Sequence, residues 1–324
     1  MVQADGGEFA IGISLGATNI CAGILNQETG LVEIFESEQG KNTMPSRIGI
    51  SNDGVVVVGE RAHTQESYIE DPVRRVGEGS QEAVGDRTPT QLVSEVIKAV
   101  KDTAEKKHEG KRATRCVISL PSYFEKAQKD EIDKAAIQAG IECMQFIHSA
   151  SAAVRAAGLH LGADDEQTAL VCDFGGNDLT ISVAKVSFGI IEVVASECKR
   201  DIGGNFIDGK LVTHCLQKFK TEKGVDMSGD EKAKRRLKQA CERAKIRLSR
   251  LSEATVNLPS FCGPHDLVVK IELEELKALT QAAAEFEPLL DRVLTLASMD
   301  SAGIDEVLLV GGSSNIPWVV DTLK

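Results

Sequence analysis

Asp173 closes a short apolar run, Ala169-Leu170-Val171-Cys172, and Gly175-Gly176-Asn177 follow almost at once. An acid at a strand end can hold a cation, and glycines just beyond it let backbone N–H groups approach an anion with no Cβ in the way. The combination suits a phosphate carried with magnesium, although Asp and Gly also populate ordinary hairpin turns. Asp201-Ile202-Gly203-Gly204-Asn205 is a second glycine turn, ahead of a predicted helix, and Gly311-Gly312-Ser313-Ser314 is a third, after the apolar run Val307 to Val310. A strand that runs into a glycine turn opening a helix offers backbone amides to an anion, and close packing is the usual alternative. Glu242, Lys245 and Ser249, three and four residues apart, share one polar face of a predicted helix. Plain solvation would account for that face equally well.

The elements that must position these groups occur twice. A shift of 159 residues carries Ser14 onto Asp173 and lays Ile11-Gly12-Ile13-Ser14-Leu15-Gly16-Ala17-Thr18 over Leu170 to Asn177. Each copy then runs into an alternating segment, Ile20 to Leu25 in one and Leu179 to Val183 in the other. A repeat that long is too large for a solenoid and fits a duplicated lobe. With 324 residues to pack, two lobes are expected, divided as residues 1–168 and 169–324.

Composition narrows the class. Apolar residues make up 42% and charged residues 27% of the chain, as in water-soluble globular proteins. A formal charge of −12 argues against a nucleic-acid partner, whose phosphates demand a basic face. No apolar run reaches the roughly 18 residues of a membrane span, and MVQADGGEFA lacks a signal-peptide core. The eight cysteines form no C-x-x-C pair and the six histidines no zinc-ligand spacing, which together favour a reduced, cytoplasmic setting.

Along the chain, Phe9 to Leu25 reads as a hairpin and Leu31 to Phe35 as a third strand. Arg47 to Val58 follows as strands about the Asn52-Asp53-Gly54 turn, and ERAHTQESYI from Glu60 as a helix. Glu78 to Arg87 is polar enough to be exposed and mobile. Thr88-Pro89-Thr90-Gln91 and Ser122-Tyr123-Phe124-Glu125 have the form of capping boxes that open helices. Met144 to Ile147 is a strand leading into the alanine-rich helix Ser149 to Leu159, so strands and helices alternate as in an α/β lobe. The second copy adds a strand from Gly189, a helix from Phe206 to Glu222, and a long helix from Asp230 whose apolar seam is Leu237, Cys241, Ala244, Leu248 and Leu251. Strands at Val256–Leu258 and Leu267–Ile271 precede an amphipathic helix that Pro288 should kink or divide, and Val307 to Val310 reads as a buried strand.

Taken in order, six segments resemble the 70-kDa heat-shock chaperones in their actin-like ATPase domain. They are Ile11 to Thr18, Val117-Ile118-Ser119-Leu120-Pro121-Ser122-Tyr123-Phe124, Asp173-Phe174-Gly175-Gly176, Ile202-Gly203-Gly204, Ala240-Cys241-Glu242-Arg243-Ala244-Lys245 and Val310-Gly311-Gly312-Ser313-Ser314-Asn315-Ile316-Pro317. The resemblance implies a two-lobed α/β fold of the duplicated, ribonuclease H-like kind, with ATP or ADP held in a cleft between the lobes. By position, Gly16, Ala17 and Thr18 would form one phosphate loop and Gly175 and Gly176 the other, with Gly203 and Gly204 bordering the phosphates. Asp173 would hold Mg2+ through water. Glu242, Lys245 and Ser249 would meet the adenosine, and Gly311, Gly312 and Ser313 would close over the nucleoside.

Departures from the family pattern fall on chemistry. Ser14 stands where the family has an aspartate, Val73 where it has a catalytic lysine, and Ser149 where it has a glutamate. Asp178 replaces a phosphate-touching threonine, Thr180 an aspartate, and Ile246 an adenine-stacking arginine. Phosphoryl transfer depends on positioning and on neutralising charge, so these changes imply nucleotide binding with weak or absent hydrolysis. The upper part of the first lobe is expected to be reduced and the second lobe to be incomplete at its C-terminal end, with no peptide-binding domain in this chain. A J-domain co-chaperone and a nucleotide-exchange factor would be the family's partners. A non-catalytic scaffold role beside a ribosome-associated chaperone is the alternative, and a sugar-kinase-like phosphotransferase ranks last.

Overall fold

The computed structural model describes residues 7–26, 28–65, 67–76, 86–108, 111–159, 166–280 and 285–323. Most of the expected mobile stretch Glu78 to Arg87 therefore lies outside the described residues. The chain divides into two compact units, Met1–Ala156 and Ala157–Lys324.

The first unit opens on β1 (Glu8–Leu15), in which every second side chain is buried, and turns back through β2 (Asn19–Leu25) to the short strands β3 (Val32–Ile34) and β4 (Met44–Pro45). Next come β5 (Arg47–Ile50), β6 (Val56–Val58) and β7 (Ser67–Glu70), then α1 (Pro89–Lys107), β8 (Arg112–Leu120), α2 (Lys126–Gln138), β9 (Glu142–His148) and α3 (Ser149–Ala156). Among the described residues the main sheet has the order β3-β2-β1-β8-β9, with β4 beside β2. β1 is antiparallel to β2 and parallel to β8, and β8 is parallel to β9. A second sheet is ordered β6-β5-β7. Ile11, Ile13 and Leu15 of the sheet share a core with Leu92, Val93, Val96, Ile97 and Val100 of α1 and Ile132, Ala135 and Ala136 of α2.

The second unit contains β10 (Gln167–Phe174), β11 (Leu179–Ser187), β12 (Ile190–Lys199), α4 (Gly204–Lys223) and α5 (Glu231–Leu248). It continues with β13 (Glu253–Cys262), β14 (His265–Glu272), α6 (Leu273–Thr280), α7 (Phe286–Leu296), β15 (Glu306–Val310) and α8 (Pro317–Thr322). The sheet order is β12-β11-β10-β15, with β10 antiparallel to β11 and parallel to β15. This repeats β3-β2-β1-β8 of the first unit. The repeat extends to single residues: Ser14 faces Cys21 across one hairpin and Asp173 faces Thr180 across the other, each displaced by the same 159 positions. α5 packs on α4 and on the β13/β14 hairpin, burying Leu237, Cys241, Ala244 and Leu248. Phe174 meets Phe286 of α7 edge-on at 6.1 Å between ring centres.

Several expectations change. The segment from Glu60 is a single 3-10 turn to Thr64, after which Ser67–Glu70 becomes β7. Ile69 is nearly inaccessible and lies opposite Ile48 of β5, so sheet pairing overrides the local helical pattern. The second capping box begins at Glu125, whose N–H donates to Gln128 Oε1 at 2.9 Å, and not at Ser122. Leu251 lies beyond α5 and is 57% exposed. Of the two outcomes expected for the amphipathic segment, a kink or a division, the structure has the division: α6 ends at Thr280, α7 begins at Phe286, and Pro288 sits in the first turn of α7, where its missing N–H has no intrahelical partner to lose. β15 pairs with β10 at the sheet edge, which leaves Val307 39% and Leu309 41% exposed where a buried strand was expected.

The Thr88 box forms as read. Thr88 Oγ1 accepts from the Gln91 N–H at 3.3 Å, and Gln91 Oε1 accepts from the Thr88 N–H at 2.9 Å. Thr88→Ala is expected to lower stability by about 1 kcal/mol in urea unfolding, while Thr88→Ser leaves it nearly unchanged.

Candidate functional site

Three loops of the second unit meet at the end of β10. The first, Gly175 to Asp178, turns β10 into β11, and the Gly175 N–H donates to the Asp178 carbonyl at 3.0 Å. The second, Asp201 to Asn205, joins β12 to α4. The third, Gly311 to Asn315, follows β15 and precedes α8. β10 sits between β11 and β15, so the sheet order itself delivers two of the loops to one place.

The loops are bound to one another mainly through backbone. The Gly204 N–H donates to the Gly175 carbonyl at 3.0 Å and the Asn205 N–H to the Gly176 carbonyl at 2.7 Å. The Ile202 and Gly203 N–H groups both donate to the Asn177 carbonyl at 3.0 Å, and Asn205 Nδ2 donates to Asn177 Oδ1 at 2.7 Å. Ser313 Oγ donates to the Gly175 carbonyl at 2.8 Å, tying in the third loop. Two glycines are required by contact. A Cβ at Gly203 would strike the Gly176 and Asn177 backbone, and one at Gly311 would strike the Phe174 carbonyl and stand 2.9 Å from Asp173 Oδ1. Gly311 also has φ +83, a region that residues with a side chain avoid. A Cβ at Gly312 would meet open space.

Asp173 is partly buried at the strand end, beside the bare Cα of Gly311. Burial, with the charge of Asp178 added to it, pushes its carboxyl up to about 6. A buried carboxyl that feels a second negative charge beside it is a place where a cation would be stabilised. Lys245, which the family resemblance assigns to the adenosine, is engaged within the protein: its Nζ donates to Asp208 Oδ2 at 2.8 Å and to the Gly204 carbonyl at 2.9 Å. The pair is well shielded, with side-chain exposures of 12% for Lys245 and 3% for Asp208. Asp208 Oδ1 is buried without a hydrogen-bond partner, and burial pushes this carboxyl up to about 6 despite Lys245.

Of the residues singled out from sequence, Asp173, Gly175, Gly176, Gly203, Gly204, Lys245, Gly311 and Ser313 come together in these contacts. Gly312 belongs to the same loop, and its carbonyl accepts from Asn315 Nδ2 at 3.1 Å. Glu242 and Ser249 lie about one turn to either side of Lys245 on α5, Ser249 as the C-terminal cap, and the charge of Glu242 acts on Asp208. Gly16, Ala17 and Thr18 lie in the first unit at the β1–β2 turn. There a Cβ on Gly16 would stand 2.5 Å from the Asn19 carbonyl, and the Thr18 carbonyl accepts from the Ser46 N–H at 2.8 Å. Sequence reading missed Asp208, which is hidden in α4, and Asn177 and Asn205, which bolt two loops together. A buried acid four residues into a helix that opens on Gly-Gly was the available sign of the first.

Gly203→Ala is expected to cost about 1–3 kcal/mol or more, because rigid backbone fills the space. Gly204→Ala should cost less in the same unfolding assay, since a Cβ there meets only the ends of the Ser313 and Lys245 side chains. A carboxyl raised in the folded state adds stability that is complete below its unfolded pKa and is lost as pH rises through the folded value. Folding stability should therefore fall between about pH 4 and pH 6 through Asp208, and Asp208→Asn should flatten that part of the urea-midpoint profile.

Comparison with known proteins agrees with this arrangement. Residues 72–324 match the family described as Hsp70 protein. The chain is 31% identical over 335 aligned positions to the chaperone protein DnaK of Thermotoga petrophila, spanning 99% of this chain and 56% of that one. It is 33% identical to DnaK of Metamycoplasma hominis, over 96% of this chain and 54% of that one, and 34% identical to DnaK of Mycoplasma mobile, over 98% and 54%. It thus spans a little more than half the length of these chaperones. With the repeated hairpin and the glycine loops in place, the chain belongs to the Hsp70 family and folds as its α/β, actin-like nucleotide-binding domain.

Proposed function

We propose that this domain binds ATP or ADP with Mg2+ and hydrolyses ATP weakly or not at all. The observation that carries the reading is Asp173: an acid raised by burial and by Asp178, at a strand end beside Gly311, where there is no room for a Cβ. Those residues fit a divalent cation and a phosphate. Asp173 would hold the cation, Gly175, Gly176, Gly203 and Gly204 would border the phosphates, and Gly16, Ala17 and Thr18 would supply a further phosphate loop. Glu242, Lys245, Ser249, Gly311, Gly312 and Ser313 would take the nucleoside. When bound, the cation would supply charge neutralisation at the phosphates.

Weak turnover follows from the residues that are present. Val73 is packed into the apolar core of the first unit, so no cation is offered from that position. Ser14 faces Cys21 where the second hairpin sets Asp173 against Thr180, so the first copy of the elbow carries no acid. Asp178 strengthens a cation site and weakens a phosphate site with the same charge. At about 4 Å, two like unit charges repel by roughly 4 kcal/mol at an effective dielectric of 20.

By family, a J-domain co-chaperone and a nucleotide-exchange factor are the partners proposed, and the cytoplasm the compartment. No helix of the described residues is long and apolar enough to cross a membrane.

Calorimetry with ADP or ATP should show magnesium-dependent binding. Asp173→Asn should weaken it at least tenfold, about 1.4 kcal/mol, while steady-state phosphate release stays near background. Absence of nucleotide binding, or brisk turnover abolished by Asp173→Ala, would each contradict the proposal.

A further inference from the structure

Away from the glycine junction, the first unit places two thiols side by side. Cys116 of β8 and Cys143 of β9 are direct partners in the parallel ladder. Neighbouring strands lie about 4.8 Å apart, and directly paired residues present their side chains on the same face, so this pair falls within the usual Cα span of a disulfide, roughly 4.4–6.8 Å. Immediately beyond it the register slips, since Cys116 faces Cys143 but Val117 faces Gln145, leaving Met144 as the extra residue of a bulge. Bulges re-aim the side chains beside them.

Here the effect is to bring the two sulfurs together at the edge of the sheet. Cys116 is fully buried and its thiol lies against Cys143, whose own thiol donates to the Gln145 carbonyl at 3.6 Å. Cys143 itself is partly exposed on the edge strand. The Cys116 hydrogen bond holds the Cys143 thiol below its ordinary pKa, against burial and the nearby Asp133 carboxylate. The same bond, with burial, raises Cys116. A partly exposed thiol on an edge strand, directly opposite a buried one, is the arrangement of an attacking and a resolving cysteine.

We propose that Cys143 and Cys116 form a peroxide-responsive, reversible disulfide site. The Cys143 thiolate attacks one oxygen of a hydroperoxide: an S–O bond forms, the O–O bond breaks, and hydroxide leaves to take up a proton. Cys116 sulfur then attacks the sulfenic sulfur: the S–S bond forms, the S–O bond breaks, and water departs with the hydroxyl and the Cys116 proton. Two electrons pass from the two thiols to the peroxide, and a dithiol reductant reverses the change. The product ties the edge strand β9 covalently to β8.

The test is brief exposure of the full chain to hydrogen peroxide, blocking of remaining thiols, and peptide mapping by mass spectrometry. The expected result is a Cys116–Cys143 disulfide that forms before oxidation of the other partly exposed thiols, Cys21, Cys198 and Cys262, and disappears with dithiothreitol. Cys116→Ala should instead accumulate a Cys143 sulfenic acid captured by dimedone, and Cys143→Ser should abolish both products. Oxidation of Cys143 no faster than that of Cys21, Cys198 and Cys262, or its oxidation in the parent chain without linkage to Cys116, would overturn the proposal. The parent-chain map reads this outcome even where a variant folds poorly.

Discussion

Backbone lies against backbone at the end of β10, with no side chain between. Gly203 touches the main chain of Gly176 and Asn177, Gly311 touches that of Phe174, and four main-chain hydrogen bonds run from the second loop to the first. Because the bonded groups belong to the main chain, the geometry is fixed by sheet order and by the absence of Cβ atoms more than by side-chain identity. Everything assigned to the site depends on that contact: the position of Asp173 beside Gly311, the reach of Ser313 to Gly175, and the seating of the first turn of α4.

Around this junction the electrostatics are left unresolved by the protein itself. Asp173 and Asp208 are both raised by burial. One is opposed by a second acid and the other only partly relieved by Lys245. Lys245 satisfies one oxygen of Asp208 and leaves the other bare. Such groups are expensive to keep inside a protein with nothing to offset them, which is why they mark this region more sharply than pocket shape would. The α5 lysine is accordingly a structural bolt between α4 and α5 in this conformation, and any role toward a nucleoside requires it to share or exchange those partners.

Much of this was legible beforehand. The doubled strand–glycine–strand pattern foretold both hairpins with their shared register, and Thr88-Pro89-Thr90-Gln91 foretold the start of α1, because turn and cap chemistry are local. What failed was decided at a distance. Ser67–Glu70 is a strand because Ile69 has β5 to pair with, and Val307 and Leu309 are exposed because β15 lies at an edge, facts that no window of neighbouring residues contains. Asp208 escaped notice for the same reason: an acid on a helix looks solvated until the lysine of another helix is known to cover it.

The two sheets share one displacement within their hairpins but not across them. The partner of Ser14 on the parallel side is Ser119 and that of Asp173 is Val310, which stand 191 residues apart instead of 159. The excursion from hairpin to parallel strand has thus lengthened in the second unit while the ladder it returns to kept its alignment. Closing a somewhat longer excursion adds only a few tenths of a kcal/mol to the entropy of ordering the chain. Whole subdomains can therefore be enlarged or pared away in descendants of this architecture at little thermodynamic penalty, provided they are grafted onto the return path and never into the elbow.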